Sequence, residues 1–83
     1  MPQRLASKVS NKTFDPAAAG AFLRARREKL GMSQRDVADQ ANVSQRTIVK
    51  IEHGLGSVTV QVLEAAAAAL GLDILQVIKK ALR

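Results

Sequence analysis

The sequence predicts an all-α protein, five short helices around one aliphatic core behind a flexible basic N-terminal arm. Three observations carry that expectation. Helix-start signals recur at Asp15, Ser33, Ser44, Thr59 and Asp73, each just ahead of a helix-forming stretch. Gly31, Gly54 and Gly71 stand where those helices should stop. Only "SVTVQV" alternates like a strand, and the alanine run straight after it, with Thr59 as a cap, assigns it to helix.

With 83 residues, the chain has room for one domain. Apolar residues make up 47% but aromatics only 2%, so the core must come from Leu, Ile, Val and Ala. Such a core buries little area per residue, which makes a second subunit an expected source of burial. Thirteen Lys and Arg against seven Asp and Glu leave a formal charge of +6. That excess favours polyanions, nucleic acid first and an anionic membrane surface second. Without cysteine there is no disulfide or thiolate metal site. No apolar run approaches the roughly 20 residues of a bilayer span. The opening "MPQRLASKVSNKTFDP" lacks the continuous apolar stretch of a secretory signal, so a cytoplasmic location is expected.

Residues 1–14 carry Arg4, Lys8 and Lys12 among Ser and Asn, and they read as the arm. It is either a disordered leader or a segment that lies along a phosphate backbone or enters a minor groove. The domain proper is expected over 15–83.

Asp15-Pro16 starts helix 1, with Asp as N-cap and Pro in the first turn. It should run to about Leu30, burying Phe22, Leu23 and Leu30 with Ala19 and Ala25. Arg24, Arg26, Arg27 and Lys29 cover its remaining surface. Arg24 and Arg27 share a face that could meet a phosphate or a partner, although a solvated face is the favoured reading. Ser33 and Asp36 form a capping-box pattern for helix 2, over 34–41, with Val37 and Ala38 inward. Asn42 tolerates positive φ and suits a tight turn. Ser44 caps helix 3, which continues to about His53 and stops at Gly54. "GLGS" connects it to helix 4, "VQVLEAAAAAL", a stretch of very high helix propensity. Asp73 caps a fifth helix, "ILQVIKKALR".

Helices 2 and 3 are each about two turns long and joined by roughly three residues. That link suits the crossed pair of a helix-turn-helix, here over 33–53. Ala38 is small where the helices must cross, Asn42 occupies the bend, and Val37, Val43, Ile48 and Ile51 are apolar as the core beneath requires. Ile48 and Ile51 fix the back of helix 3, which leaves Gln45, Arg46, Thr47, Val49 and Lys50 facing elsewhere.

Taken singly, such residues are ordinary solvation. Together they form a base-reading kit. Gln can bond adenine at N6 and N7, and Arg can bond guanine at O6 and N7, each good pair giving about 1–3 kcal/mol of discrimination. Thr offers a hydroxyl and a methyl group, and Lys reaches a base acceptor or a phosphate. The helix N-termini at Ser33 and Ser44 offer backbone N–H groups suited to phosphate.

The stretch from about Ala21 to Leu75 resembles the Cro/C1-type (XRE-type) helix-turn-helix domain of phage repressors. The segments that carry the resemblance are "LRARREKLGMSQRDVADQANVSQRTIVKIEHG" and "VLEAAAAALGLDI". Two positions depart from the family pattern: Asn42, where glycine is usual, and His53, where asparagine is frequent. The resemblance implies a five-helix lambda-repressor-like fold that binds DNA with helix 3 in the major groove. Carried over by position, Gln45, Arg46 and Lys50 match base-contacting sites, and Thr47 and Val49 sit where further contacts are often made. Gln34 matches a residue that commonly bonds phosphate, and Arg35 and Ser44 complete the expected DNA-binding set. Glu52 reads as structural, paired with a basic group on helix 1.

Leu72, Ile74, Leu75, Val77, Ile78 and Leu82, with Leu70, are too many large apolar groups for one small core to hide. Dimerisation through 59–82 would cover them. A two-fold dimer would set two recognition helices about 34 Å apart, facing a pseudo-palindromic operator. A short membrane-surface helix, helped by Lys79, Lys80 and Arg83, is the weaker alternative.

The expected function is therefore a sequence-specific DNA-binding transcriptional regulator, a dimeric repressor that occludes a promoter, cytoplasmic and nucleoid-associated when bound. Its alternatives are an antitoxin that also binds a toxin, a restriction–modification controller, and a helical adaptor that binds protein alone. An enzyme is not expected, nor is a cofactor or metal. There is no Cys, no paired carboxylate in a plausible cleft, and His53 is alone.

Overall fold

The computed structural model describes residues 13–55 and 58–82. Most of the arm expected over 1–14 lies outside the described residues, as does Arg83. Five helices follow in order: α1 Pro16–Lys29, α2 Gln34–Ala41, α3 Gln45–Glu52, α4 Val60–Ala69 and α5 Ile74–Ala81.

Each begins on the residue whose side chain can satisfy the orphan N–H groups of a first turn. Asp15 Oδ1 accepts from Ala17 N at 3.0 Å, and Thr59 Oγ1 accepts from Val62 N at 3.1 Å. Ser33 and Asp36 exchange two bonds of 2.9 Å, a complete capping box. Asp73 and Gln76 close a second one ahead of α5. The first four helices also end alike, each passing into a positive-φ residue at Gly31, Asn42, Gly54 or Gly71. In each case the next N–H reaches back to a carbonyl in the last turn, as from Val43 to Ala38 at 3.0 Å.

The core is aliphatic, as the composition requires. Leu23, Val37, Ile48, Ile51, Leu63, Leu70 and Val77 are buried together with Ala19, Ala38, Ala66, Ala67 and Ala81. α1 packs on both α3 and α5, while α2 packs on α3 and α4. The alanines let these axes approach closely, and Gly20 marks the tightest crossing. A Cβ there would overlap the backbone carbonyl of Ile51 and lie 2.9 Å from that of Glu52. No described helix is by itself long and apolar enough to cross a membrane.

Four burial expectations need correction, the first being Phe22, which is only partly buried against the core. Leu30 is 45% exposed, because α1 ends at Lys29 and the chain turns away at Gly31. Ala25 is also exposed, while Gly20 is buried in its stead. Leu70 belongs to the core rather than to an outer apolar patch. The arm boundary shifts as well: Phe14 makes an antiparallel bridge with Leu82, and Asp15 N donates to Ala81 O at 2.8 Å. The chain is thus tied to α5 before α1 begins.

Candidate nucleic-acid interface

The interface is built on α2, the bend at Asn42 and α3. Asn42 adopts φ 58°, ψ 45°, a left-handed conformation that Asn accepts more readily than any residue but Gly. Two residues later Ser44 returns to extended backbone and caps α3 through Thr47 N at 3.1 Å. The left-handed residue ends α2 and lets the chain change direction before α3 begins. Ile48 and Ile51 then sink into the core at 2% and 4% exposure, and this fixes the rotation of α3 about its axis.

That rotation decides where the polar residues go. Gln45 and Arg46 are exposed at the leading end of α3, with Ser44 exposed beside them. Neither Arg46 nor Gln45 makes an ion pair or side-chain hydrogen bond among the described residues. Thr47, Val49 and Lys50 are half-buried along the flank. The hydroxyls of Ser44 and Thr47 share a hydrogen bond of 2.8 Å, so Thr47 is oriented by its own N-cap. Arg35 is exposed on α2. All of these lie on the two helices joined at Asn42.

Gln34 is tied down rather than free. Its Nε2 donates to Glu52 Oε1 at 3.1 Å, which leaves one amide hydrogen for an outside acceptor. Glu52 in turn is gripped by Arg27 of α1, Oε2 to Nε at 2.6 Å and Oε1 to Nη2 at 3.1 Å. Arg27 also donates through Nη1 to the Met32 carbonyl at 2.9 Å. The expected pairing of Glu52 with a base of helix 1 is present, and its partner is Arg27. As hydrogen-bond acceptor, Glu52 raises the Arg27 guanidinium above its ordinary pKa, outweighing the opposite pull of burial. Arg24 forms an exposed pair with Glu28 one turn on, in line with the solvated face favoured for it. His53 is the C-cap that follows α3, its Nδ1 2.8 Å from the Val49 carbonyl oxygen. Among the described residues no group of His and carboxylates is arranged to hold a metal ion.

Sequence reasoning passed over Gly20 and the Gln34–Glu52 bond. Gly20 had a signal, since glycine inside a helix is unfavourable by about 1 kcal/mol against alanine and its presence marks a close approach. The Gln34–Glu52 bond joins residues 18 apart, and no local pattern announces it.

A family model described as helix-turn-helix matches residues 23–77, well over half of the chain. The chain belongs to the Cro/C1-type helix-turn-helix family. Solved structures agree with that assignment. The clp gene regulator ClgR from Corynebacterium glutamicum is 29% identical with TM-score 0.74, over 83% of this chain and 73% of that one. The hypothetical transcription factor NHTF from Neisseria is 25% identical with TM-score 0.71, over 77% of this chain and 74% of that one. The restriction-modification controller protein C.AhdI from Aeromonas hydrophila, 24% identical with TM-score 0.71, shares the fold over 76% of this chain and 96% of its own. No curated protein matches the chain significantly.

Proposed function

We propose that this DNA-binding transcriptional regulator lays α3 in the major groove of an operator, as one half of a two-fold dimer. Gln45 and Arg46 read base edges, while Thr47, Val49 and Lys50 add contacts along the groove wall. Gln34, Arg35 and Ser44 hold phosphates of the flanking backbone, and the basic segment ahead of Phe14 adds charge to the duplex. The observation that carries this reading is the pairing of exposed, unbonded Gln45 and Arg46 with buried Ile48 and Ile51 behind them. The chain works by binding alone, as one domain that takes in Phe14 and the five helices, in the cytoplasm where its operator is.

Exposed apolar side chains support the dimer. Val60 is 69% exposed, Leu75 60% and Leu82 43%, all on or beside α4 and α5. A second copy would cover them. Occlusion of a promoter by that dimer is the simplest regulatory act such a chain can perform. This reading is preferred to the antitoxin one, because the family and the ClgR structure point to regulation of genes.

The test is binding to the promoter fragment of the chain's own operon, followed by fluorescence anisotropy. Wild type should bind with an affinity that falls steeply as salt rises, because phosphate contacts release counterions. Gln45→Ala with Arg46→Ala should reduce specific binding to the level of unrelated duplex. If the double variant retains full operator preference, α3 does not read the bases. A protein-binding adaptor would show no shift of the fragment at micromolar concentration and low salt.

A further inference from the structure

A second cationic feature lies apart from the helix-turn-helix. A groove of about 330 Å³ runs between α1 and α5, lined by Phe22, Ala25, Arg26, Lys29, Leu72 and Gln76. None of these belongs to α2 or α3. Lys80 of α5 lies next to it, its Nζ 5.8 Å from the centre of the Phe22 ring, a cation–π distance.

Arg26 is held in place here. Its Nε donates to the Leu70 carbonyl at 3.0 Å, satisfying a terminal acceptor of α4 and fixing the plane of the guanidinium. Both Nη groups remain, in the fork geometry that matches a carboxylate. Among the described residues neither Arg26, Lys29 nor Lys80 has a carboxylate partner. The acidic groups nearby are engaged: Glu28 with Arg24, Glu52 with Arg27, and Asp73 with the Leu75 N–H at 3.2 Å. Two cations, Arg26 and Lys29, therefore line a groove that also offers an aromatic ring, a leucine and an alanine, and a third, Lys80, stands beside that ring.

We propose that this groove docks an acidic segment of a partner protein, carboxylates on Arg26, Lys29 and Lys80, with an apolar side chain on the Phe22–Leu72 floor. Charge complementarity names the carboxylates. The apolar floor favours a peptide over a nucleic-acid backbone, which would bring only phosphate and sugar to it. The site is independent of base reading, so the regulator could hold DNA on α3 and a protein on α1 and α5 together.

The probe is a fluorescein-labelled twelve-residue peptide of alternating acidic residues and leucines, titrated with the full chain in 0.15 M salt; the control replaces every acid by its amide. The acidic peptide should bind and the amide control should not. Lys29→Gln with Lys80→Gln should weaken binding about fivefold, as expected from losing two exposed ion pairs. Phe22→Leu should weaken it further, with the far-UV circular dichroism of each variant confirming the fold. Arg46→Gln with Lys50→Gln should leave peptide binding unchanged while impairing operator binding. A wild-type chain that binds the peptide but shifts no operator fragment would strike the DNA reading and spare this one. The proposal is overturned if the peptide fails to bind, or binds the Lys29/Lys80 variant as well as wild type. It is also overturned if that variant lowers operator affinity tenfold and reduces the salt slope by about two, which would make the groove a phosphate surface.

Discussion

Glu52, the last residue of α3, is clamped by Arg27 of α1 in a bidentate pair of 2.6 and 3.1 Å, at 4% and 12% side-chain exposure. Removing one partner strands the other charge in the interior. Glu52→Ala should therefore cost about 3–5 kcal/mol, read as a shift in the urea midpoint. The paired change Arg27→Met with Glu52→Leu should recover most of that loss. A double variant as unstable as the single one would mean that the ion pair matters less than the space it fills.

Gly20 sets the distance between α1 and α3. A methyl group there would meet the Ile51 and Glu52 carbonyls, backbone atoms that cannot swing aside. Gly20→Ala gains helix propensity, yet the overlap should dominate and destabilise by about 1–3 kcal/mol. Thermal melting decides the sign, and a more stable variant would show that the crossing can open freely.

Asn42 carries the left-handed bend at φ 58°. Asn42→Gly should be neutral or slightly stabilising, whereas Asn42→Ala should cost about 1 kcal/mol through the penalty for a Cβ in that conformation. Chemical denaturation of the three proteins side by side tests the order Gly, Asn, Ala.

Asp36 accepts from the Ser33 backbone N–H and interacts with its hydroxyl, and both lower its pKa below the usual carboxylate range. A depressed folded-state pKa means stability that is present above the unfolded value and lost as pH falls through the folded one. Acidification should therefore fray the start of α2. A carboxyl-carbon NMR titration should place the Asp36 midpoint below that of a free aspartate, and Asp36→Asn should flatten this part of the acid response. An Asp36 midpoint at or above about 3.9 would contradict the capping box.

Val60 and Leu75 are the most exposed large apolar residues described, at 69% and 60%. Glutamate at either position should leave the monomer fold intact and disrupt self-association, seen by sedimentation velocity. Operator affinity should drop with it, because two half-sites then bind independently. Unchanged sedimentation would argue against a dimer joined through α4 and α5.

The parts of this molecule that depend on neighbours in sequence were legible in it. Asp15, Ser33, Ser44, Thr59 and Asp73 each cap the helix their position announces, since a cap needs only the N–H groups two or three residues on. The bend at Asn42 followed from the rarity of residues that accept positive φ. Burial behind α3 followed from the spacing of Ile48 and Ile51. What escaped was set by contacts across the fold. Four basic residues crowd α1, and only the crossing angle with α3 selects Arg27 for Glu52 and sends Arg26 to Leu70. Leu30 looked like core by type, but the left-handed turn at Gly31 carries it outward. Phe14 looked like part of a loose arm until Leu82, 68 positions later, offered it a strand partner.

The Phe14–Leu82 bridge has a practical consequence for anyone handling the protein. Bridged residues of this kind sit about 5 Å apart, so a tag fused ahead of residue 13 and one fused after residue 82 emerge at the same spot. That spot adjoins Val60, Ile74 and Ile78, which share an apolar hollow with Phe14 and Leu82. A bulky group attached directly ahead of residue 13 or directly after residue 82 would crowd this edge equally.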